Sequence, residues 1–212
     1  MKIEALHEFH DPDFAQGWSD KFEPTKDRLD LFKTISDQLK DETTFQILEL
    51  GIGPGYLAEY ILTNLSNVRC EGLDYSEAML SIAKERTSNN NERISFTQAD
   101  LVNELWSKKI KTQPNAIVST WALHDLFNLE SIKSVFRLAY ELLPEGDVFL
   151  NGDFVKPEES TTEYEGGRIR PSEHVFLLKD VGFQSVNCIK EFEKNVHNPT
   201  TANNYSCFMA VK

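Results

Sequence analysis

The sequence predicts an α/β protein with a mostly parallel sheet, and three observations carry that prediction. Short apolar runs of strand character alternate with helically spaced ones along most of the chain. A glycine-rich turn, Gly51-Ile52-Gly53-Pro54-Gly55, follows the first of these runs and opens a helical stretch. The last two strand-like runs have only a polar loop between them. Strands joined through helices form right-handed βαβ units and pair in parallel. Two strands joined without a helix pair antiparallel, and a parallel sheet can carry such a pair at one edge.

Residues 1–23 are aromatic-rich without a clear period, Phe9, Phe14, Trp18 and Phe22 being separated by Asp, Pro and Gly; they read as a short helix or ordered arm. A helix begins at Pro24-Thr25, with Leu29, Phe32, Ile35 and Leu39 on one face. Strands are expected at Phe45–Leu50, Val68–Leu73, Ile94–Thr97, Ala116–Thr120 and Val148–Leu150. Helices fall between them at Tyr56–Leu65, Ser76–Arg86 and, strongly amphipathic, Leu129–Leu143, with a turn at Asn89-Asn90-Asn91. After the long polar segment Val155–Pro171 come a helix at Ser172–Val181 and strands at Phe183–Phe192 and Tyr205–Val211, around the polar loop Lys194–Asn204. The expected organisation is an arm and helix over residues 1–43 and one globular unit over 44–212.

At 212 residues the chain is the size of one domain and buries roughly 70% of its unfolded surface without a disulfide or metal staple. Its net charge of −12, from 34 acidic and 22 basic side chains, repels phosphate backbones and anionic lipid. Neither nucleic acid nor a membrane is therefore expected as a partner. No run approaches the ~20 apolar residues of a membrane span, and the first residues lack a signal-peptide core; a cytoplasmic location is expected. Cys70, Cys188 and Cys207 lie in separate apolar runs, as small hydrophobes, and no Cys-x-x-Cys suggests zinc or redox chemistry. His7-Glu8-Phe9-His10-Asp11 has metal-like composition but no third partner, so no metal is expected.

A glycine loop between a strand and a helix puts bare backbone where ligands of open α/β sheets bind. Asp74 ends the second strand about 20 residues beyond the loop, where an acid hydrogen-bonds a ribose diol. Asp100 ends the third strand, where it can accept from an adenine amino group. A dinucleotide site prefers Gly-x-Gly-x-x-Gly, but here position 56 is Tyr and the third glycine, Gly55, comes one residue early. Glu49, just before the loop, would repel a pyrophosphate and can instead anchor a cation, directly or through water.

These stretches resemble the motifs of class I S-adenosylmethionine-dependent methyltransferases. Glu49-x-Gly51-x-Gly53-x-Gly55 is similar to the family's first motif, Gly72-Leu73-Asp74-Tyr75-Ser76 to its second and Ala99-Asp100-Leu101 to its third. Ala116–Trp121 resembles the fourth strand, and Leu142-Leu143-Pro144-Glu145-Gly146 the turn before the fifth. The resemblance covers roughly residues 44–212 and implies a Rossmann-like three-layer sandwich, its seven-stranded, mostly parallel sheet ending in a C-terminal antiparallel strand pair. It implies S-adenosyl-L-methionine as cofactor, with the Gly51–Gly55 backbone beneath its methionine and ribose portions and Asp74 on the ribose hydroxyls. Tyr75 and Met79 would lie near the adenine, Asp100 and Leu101 at its edge, and Ser119 or Trp121 near the methionine end. The family's metal-binding acid after the fourth strand is replaced here by Ser119-Thr120, and its Asn/Asp-Pro-Pro-aromatic motif by Ser119-Thr120-Trp121-Ala122. Those departures disfavour catechol-type, amide and nucleobase methylation.

Methyl transfer needs an aligned acceptor and, where the acceptor carries a proton, a base. His124, with Asp125 beside it in Trp121-Ala122-Leu123-His124-Asp125-Leu126, is the candidate base, and a locally hydrogen-bonded helix-start residue is the alternative. Asp153, ending the fifth strand, is a candidate substrate contact. Arg168 and Arg170 in Gly166-Gly167-Arg168-Ile169-Arg170 suit an anionic substrate or an ordinary solvated loop. His174 follows as a cap-region or substrate residue, and Phe14, Trp18 and Phe22 either close the cleft as a lid or anchor the first helix. The reading is a methyltransferase, monomer or homodimer, acting on O or N of a small metabolite bearing a carboxylate. A protein or peptide acceptor, an NAD(P)-binding oxidoreductase and a catalytically inactive cofactor-binding partner subunit are the alternatives.

Overall fold

A computed structural model of the chain describes residues 8–39, 45–126, 128–161, 163–164, 166–192 and 204–212. The boundary expected at 43/44 and most of the loop Lys194–Asn204 lie outside the described residues.

Seven strands form one sheet in the order β3-β2-β1-β4-β5-β7-β6. β1 (Phe45–Leu50), β2 (Val68–Asp74), β3 (Ile94–Gln98), β4 (Ala116–Thr120) and β5 (Val148–Phe154) run parallel. β7 (Tyr205–Val211) pairs antiparallel with both β5 and β6 (Ser185–Phe192). Two apolar cores separate the layers. Ile47, Val118 and Leu150 pack with α2 (Lys26–Gln38), α3 (Tyr56–Asn64) and α4 (Glu77–Arg86) on one face. Ile117, Phe149 and Phe208 pack with α5 (Leu129–Leu142), α6 (Pro171–Asp180) and Trp106 on the other. The alternation along β4 and β5 is the period-2 signal of strands covered on both faces.

Where the structure departs from the sequence expectation, local chemistry explains it. The arm holds a full helix, α1 (Pro12–Lys21), because Asp11 caps it by accepting from the Phe14 amide at 2.8 Å and Pro12 suits its first turn. The next helix starts at Lys26 rather than Pro24, since Thr25 is its N-cap. β5 runs on to Phe154, past the expected end at Leu150: Asn151, Gly152 and Asp153 are polar or small yet sit at strand positions paired to β7 and buried.

Sequence order reverses between β1 and β4, the former leading outward to β2 and β3 and the latter to β5. The carboxyl ends of these strands flank a crevice at that switch point, where open α/β sheets bind ligands.

Candidate active site

A cleft of about 840 Å3, open solvent at its mouth included, occupies that crevice. Its floor is the glycine loop. The Ile52 amide donates to the Leu73 carbonyl at 2.9 Å, and the Gly53 amide to Asp74 Oδ2 at 2.8 Å, so the loop is tied to the end of β2. Gly53 has φ +52, and a Cβ there would enter open space, so the loop presents bare backbone to whatever fills the cleft. Asp74 also accepts from the Ser76 amide at 2.9 Å. Burial pushes its carboxyl above the ordinary value, against the backbone donors that hold it down. Four lone-pair sites against these donors leave acceptor capacity facing the cleft. Tyr75, Met79, Asp100 and Leu101 line the same cleft, with Asp100 held by the Val102 amide at 2.9 Å.

A second, smaller cavity of about 380 Å3 shares Gly51, Gly53, Trp18 and Trp121 with the first. Phe22, Phe32 and Tyr56 add to its aromatic wall, and Glu49 is its one charged lining group. Glu49 is buried, its Oε2 has no hydrogen-bond partner among the described residues, and burial next to Asp74 drives its pKa well up. A buried carboxyl in that state is neutral or held by a cation. Trp121 is the divider between the cavities and the non-glycine residue with positive φ (+48) among those described. Bulky residues adopt that conformation only where their surroundings impose it. Here the Trp121 amide donates to the Gly152 carbonyl at 2.9 Å while the ring is wedged among Phe22, Phe32, Phe154 and Tyr205.

The arm roofs both spaces. Phe9 and His10 line the larger cavity, and His10 meets Tyr75 edge-on at 4.6 Å. The Ser76 hydroxyl donates to the Phe9 carbonyl at 2.5 Å, and Tyr56 Oη to the Ser19 carbonyl at 3.1 Å. Trp18 stacks on Phe22 at 4.4 Å.

Beyond Trp121 the chain turns through Leu123–Leu126, a turn held by Asp153. Asp153 Oδ2 accepts from the Leu123 and His124 amides, both at 3.0 Å, and Oδ1 contacts His124 Nδ1 at 2.8 Å. Asp153 is thus a buried support for the turn, not a wall of either cavity. His124 Nε2 faces Asp125 Oδ1 at 3.3 Å, and Asp125 lines the larger cavity. Desolvation lowers the His124 pKa, the charges of Asp153 and Asp125 raise it, and the net result lies above the ordinary 6.5.

The structure gathers Glu49, Gly51, Gly53, Asp74, Tyr75, Met79, Asp100, Leu101, Trp18, Phe22 and Trp121 onto the cavity walls. Gly55 lies just behind them at the start of α3, packed on Ala83. Ser119 is not brought there: its hydroxyl donates to the Leu50 carbonyl at 3.0 Å inside the sheet. Phe14 packs edge-on against Phe9, partly exposed. Arg168 lies over Phe154, Cζ 4.4 Å from the ring centroid, whereas Arg170 turns to Glu158 and Glu173 at the start of α6. His174 is a core residue against Phe208. Phe9, His10, Tyr56, Thr120 and Ala122 also line the cavities. Only the aromatic bias of the arm hinted at any of them, because their contacts span dozens of residues in sequence.

Residues 47–146 match a family model described as a methyltransferase domain. Over 144 residues, 66% of this chain and 72% of the relative, the chain is 42% identical to the uncharacterized methyltransferase YdaC of Bacillus subtilis (strain 168). Among solved structures it is similar to an O-methyltransferase family protein from Burkholderia thailandensis, with a TM-score of 0.71 and 13% identity over 96% of this chain and 60% of that one. It is likewise similar to PigF, solved with SAH, with a TM-score of 0.73 and 15% identity over 97% of this chain and 61% of that one. The chain thus spans about 60% of the length of these solved proteins, and at such identities the likeness is one of fold.

Proposed function

The chain belongs to the class I S-adenosylmethionine-dependent methyltransferases, and we propose that it methylates an oxygen or nitrogen of a small, carboxylate-bearing acceptor. The dinucleotide alternative left open by the glycine loop falls away with that membership. The cavity residues fit the cofactor. Gly53 offers bare backbone, Asp74 and Asp100 offer acceptors for ribose and adenine, and the orphaned Glu49 carboxyl suits the ammonium of an amino acid. When bound, the cofactor supplies a sulfonium methyl group open to direct displacement.

The observation that carries the small-acceptor reading is the roof: among the described residues, Phe9, Trp18 and Phe22 cover the strand ends, and the smaller aromatic space lies beside Trp121. A small, largely aromatic space that carries one carboxyl limits the size of an acceptor and holds it in line. His124 supports proton removal. His124 itself lines neither cavity; Nδ1–H donated to Asp153 leaves the Nε2 lone pair as acceptor on the side of Asp125, which does line the larger one, and Asp125 stabilises the imidazolium that forms. Asp153 acts through His124 as a positioning residue. Arg168, over Phe154 beside His124, lines neither cavity but places positive charge near His124, and a carboxylate-bearing acceptor is inferred from that charge.

A panel of phenolic, enolic and amine carboxylates, assayed for S-adenosylhomocysteine release across pH, tests this reading. Turnover is expected to rise with pH through an inflexion above 6.5, as His124 loses its proton. Asp125→Asn removes an anion and shifts that inflexion to lower pH. His124→Gln lowers kcat by roughly 10²–10⁴-fold while S-adenosylhomocysteine affinity holds. Cofactor binding without turnover on any small acceptor would refute the acceptor class, and an unshifted profile in Asp125→Asn would refute the role of His124.

A further inference from the structure

Arg28 is an anomaly in a chain of net charge −12: it is half-buried, yet no carboxylate among the described residues pairs with it. Buried charges are ordinarily paired. Its Nη1 donates to the Phe22 carbonyl at 3.1 Å, one of the five N–H groups a guanidinium carries. Its Cζ lies 3.6 Å from the Phe22 ring centroid and 5.7 Å from that of Trp121, both walls of the smaller cavity. Tyr205 joins the cluster from β7. Its ring is 5.4 Å from Trp121, it is 5% exposed, and its hydroxyl is buried without a hydrogen-bond partner among the described residues. Tyr205 lies within the electrostatic reach of Arg28, and also of Asp27 and Asp30 on α2.

Resting on the methyltransferase reading, we infer that Arg28 and Tyr205 form a carboxylate-binding site beside the smaller cavity. A guanidinium fork with donors to spare beyond the Phe22 carbonyl, and a phenolic hydroxyl with no acceptor among the described residues, are satisfied together by a planar anion with two oxygens. Asp27 and Asp30 favour a singly charged carboxylate over a more highly charged phosphate, whose repulsion would be larger. Glu49, in the wall of the same cavity, gives the opposite sign of charge, so the space suits an amino-acid zwitterion. The carboxylate can come from the cofactor's amino-acid end or from the acceptor.

Calorimetry separates these sources. The ligands are S-adenosylhomocysteine, 5′-methylthioadenosine (the nucleoside without the amino-acid end) and benzoate added to the S-adenosylhomocysteine complex. The variants are Arg28→Met and Tyr205→Phe, the latter removing a single oxygen and preserving the packed ring. Weakening of S-adenosylhomocysteine by roughly ten- to a hundredfold, with methylthioadenosine unchanged, supports the site and gives it to the cofactor. Unchanged S-adenosylhomocysteine with loss of benzoate supports it and gives it to the acceptor. Equal weakening of methylthioadenosine, or no change with any ligand, overturns it. Failure of the unsubstituted protein to bind S-adenosylhomocysteine instead removes the reading on which the site rests.

Discussion

His124 and His174 both stood out in the sequence near the cleft, and the structure leaves them in opposite states. His124 is placed between Asp153 and Asp125 and gains a proton more readily than a free imidazole. His174 is wholly buried against Phe208 and Phe136, both ring nitrogens lacking partners among the described residues, and burial lowers its pKa to about 4. The folded chain therefore refuses a proton that the unfolded chain takes up below about pH 6.5. Full above that pH, this contribution is lost as pH falls toward 4, in total of order 3 kcal/mol. His174→Phe is expected to flatten the fall in urea midpoint between those pH values; an unaltered acid slope would show that other groups cause it. Position in sequence marked both residues equally, because what separates them is which buried groups surround each ring. Asp153 shows the same limit. Its place at a strand end was legible, but its three contacts to the turn at His124 depend on where that turn folds back.

At the scale of elements, strands and helices were legible wherever one period held over several residues, as in β1, β4 and α5. The fifth strand read short because Asn151-Gly152-Asp153 breaks the apolar run, and polar side chains buried within a strand are themselves a sign of a site. The segment before α6 was legible as glycine-rich, and its role was not. Gly167 is buried against the turn at His124, where a Cβ would stand 1.7 Å from the His124 carbonyl oxygen. Gly167→Ala is thus expected to displace that backbone and cost roughly 1–3 kcal/mol, read as a lowered unfolding midpoint. Gly17, on α1, has nothing within 4 Å of an added Cβ, and Gly17→Ala should stabilise by about 0.5–1 kcal/mol. Equal effects of the two changes would count against this account.

Across the whole molecule, the glycine loop and strand-end acids were legible because a nucleoside site on an open α/β sheet is assembled from consecutive strand ends. The roof was not. Phe9 meets Ser76, and Ser19 meets Tyr56 and Arg86, across 37 to 67 residues of intervening sequence. Deleting residues 1–23 is expected to weaken S-adenosylhomocysteine and speed its release while the sheet stays folded; unchanged affinity would show the arm to be a mere anchor for α2.

The order of the sheet also has a consequence for how the enzyme comes into being. β7, after every other strand in sequence, lies inside the sheet between β5 and β6. On the ribosome, the nucleotide-binding strands are all made while β5 still lacks its neighbour on that side, and an unpaired strand edge is a template for association with other chains. The residues that prop His124 therefore stand on an open edge until Tyr205–Val211 emerges and closes it. A nascent or prematurely stopped chain would hold the cofactor's floor without a settled turn at His124, and the strand that fixes that turn is also the one that removes the sticky edge.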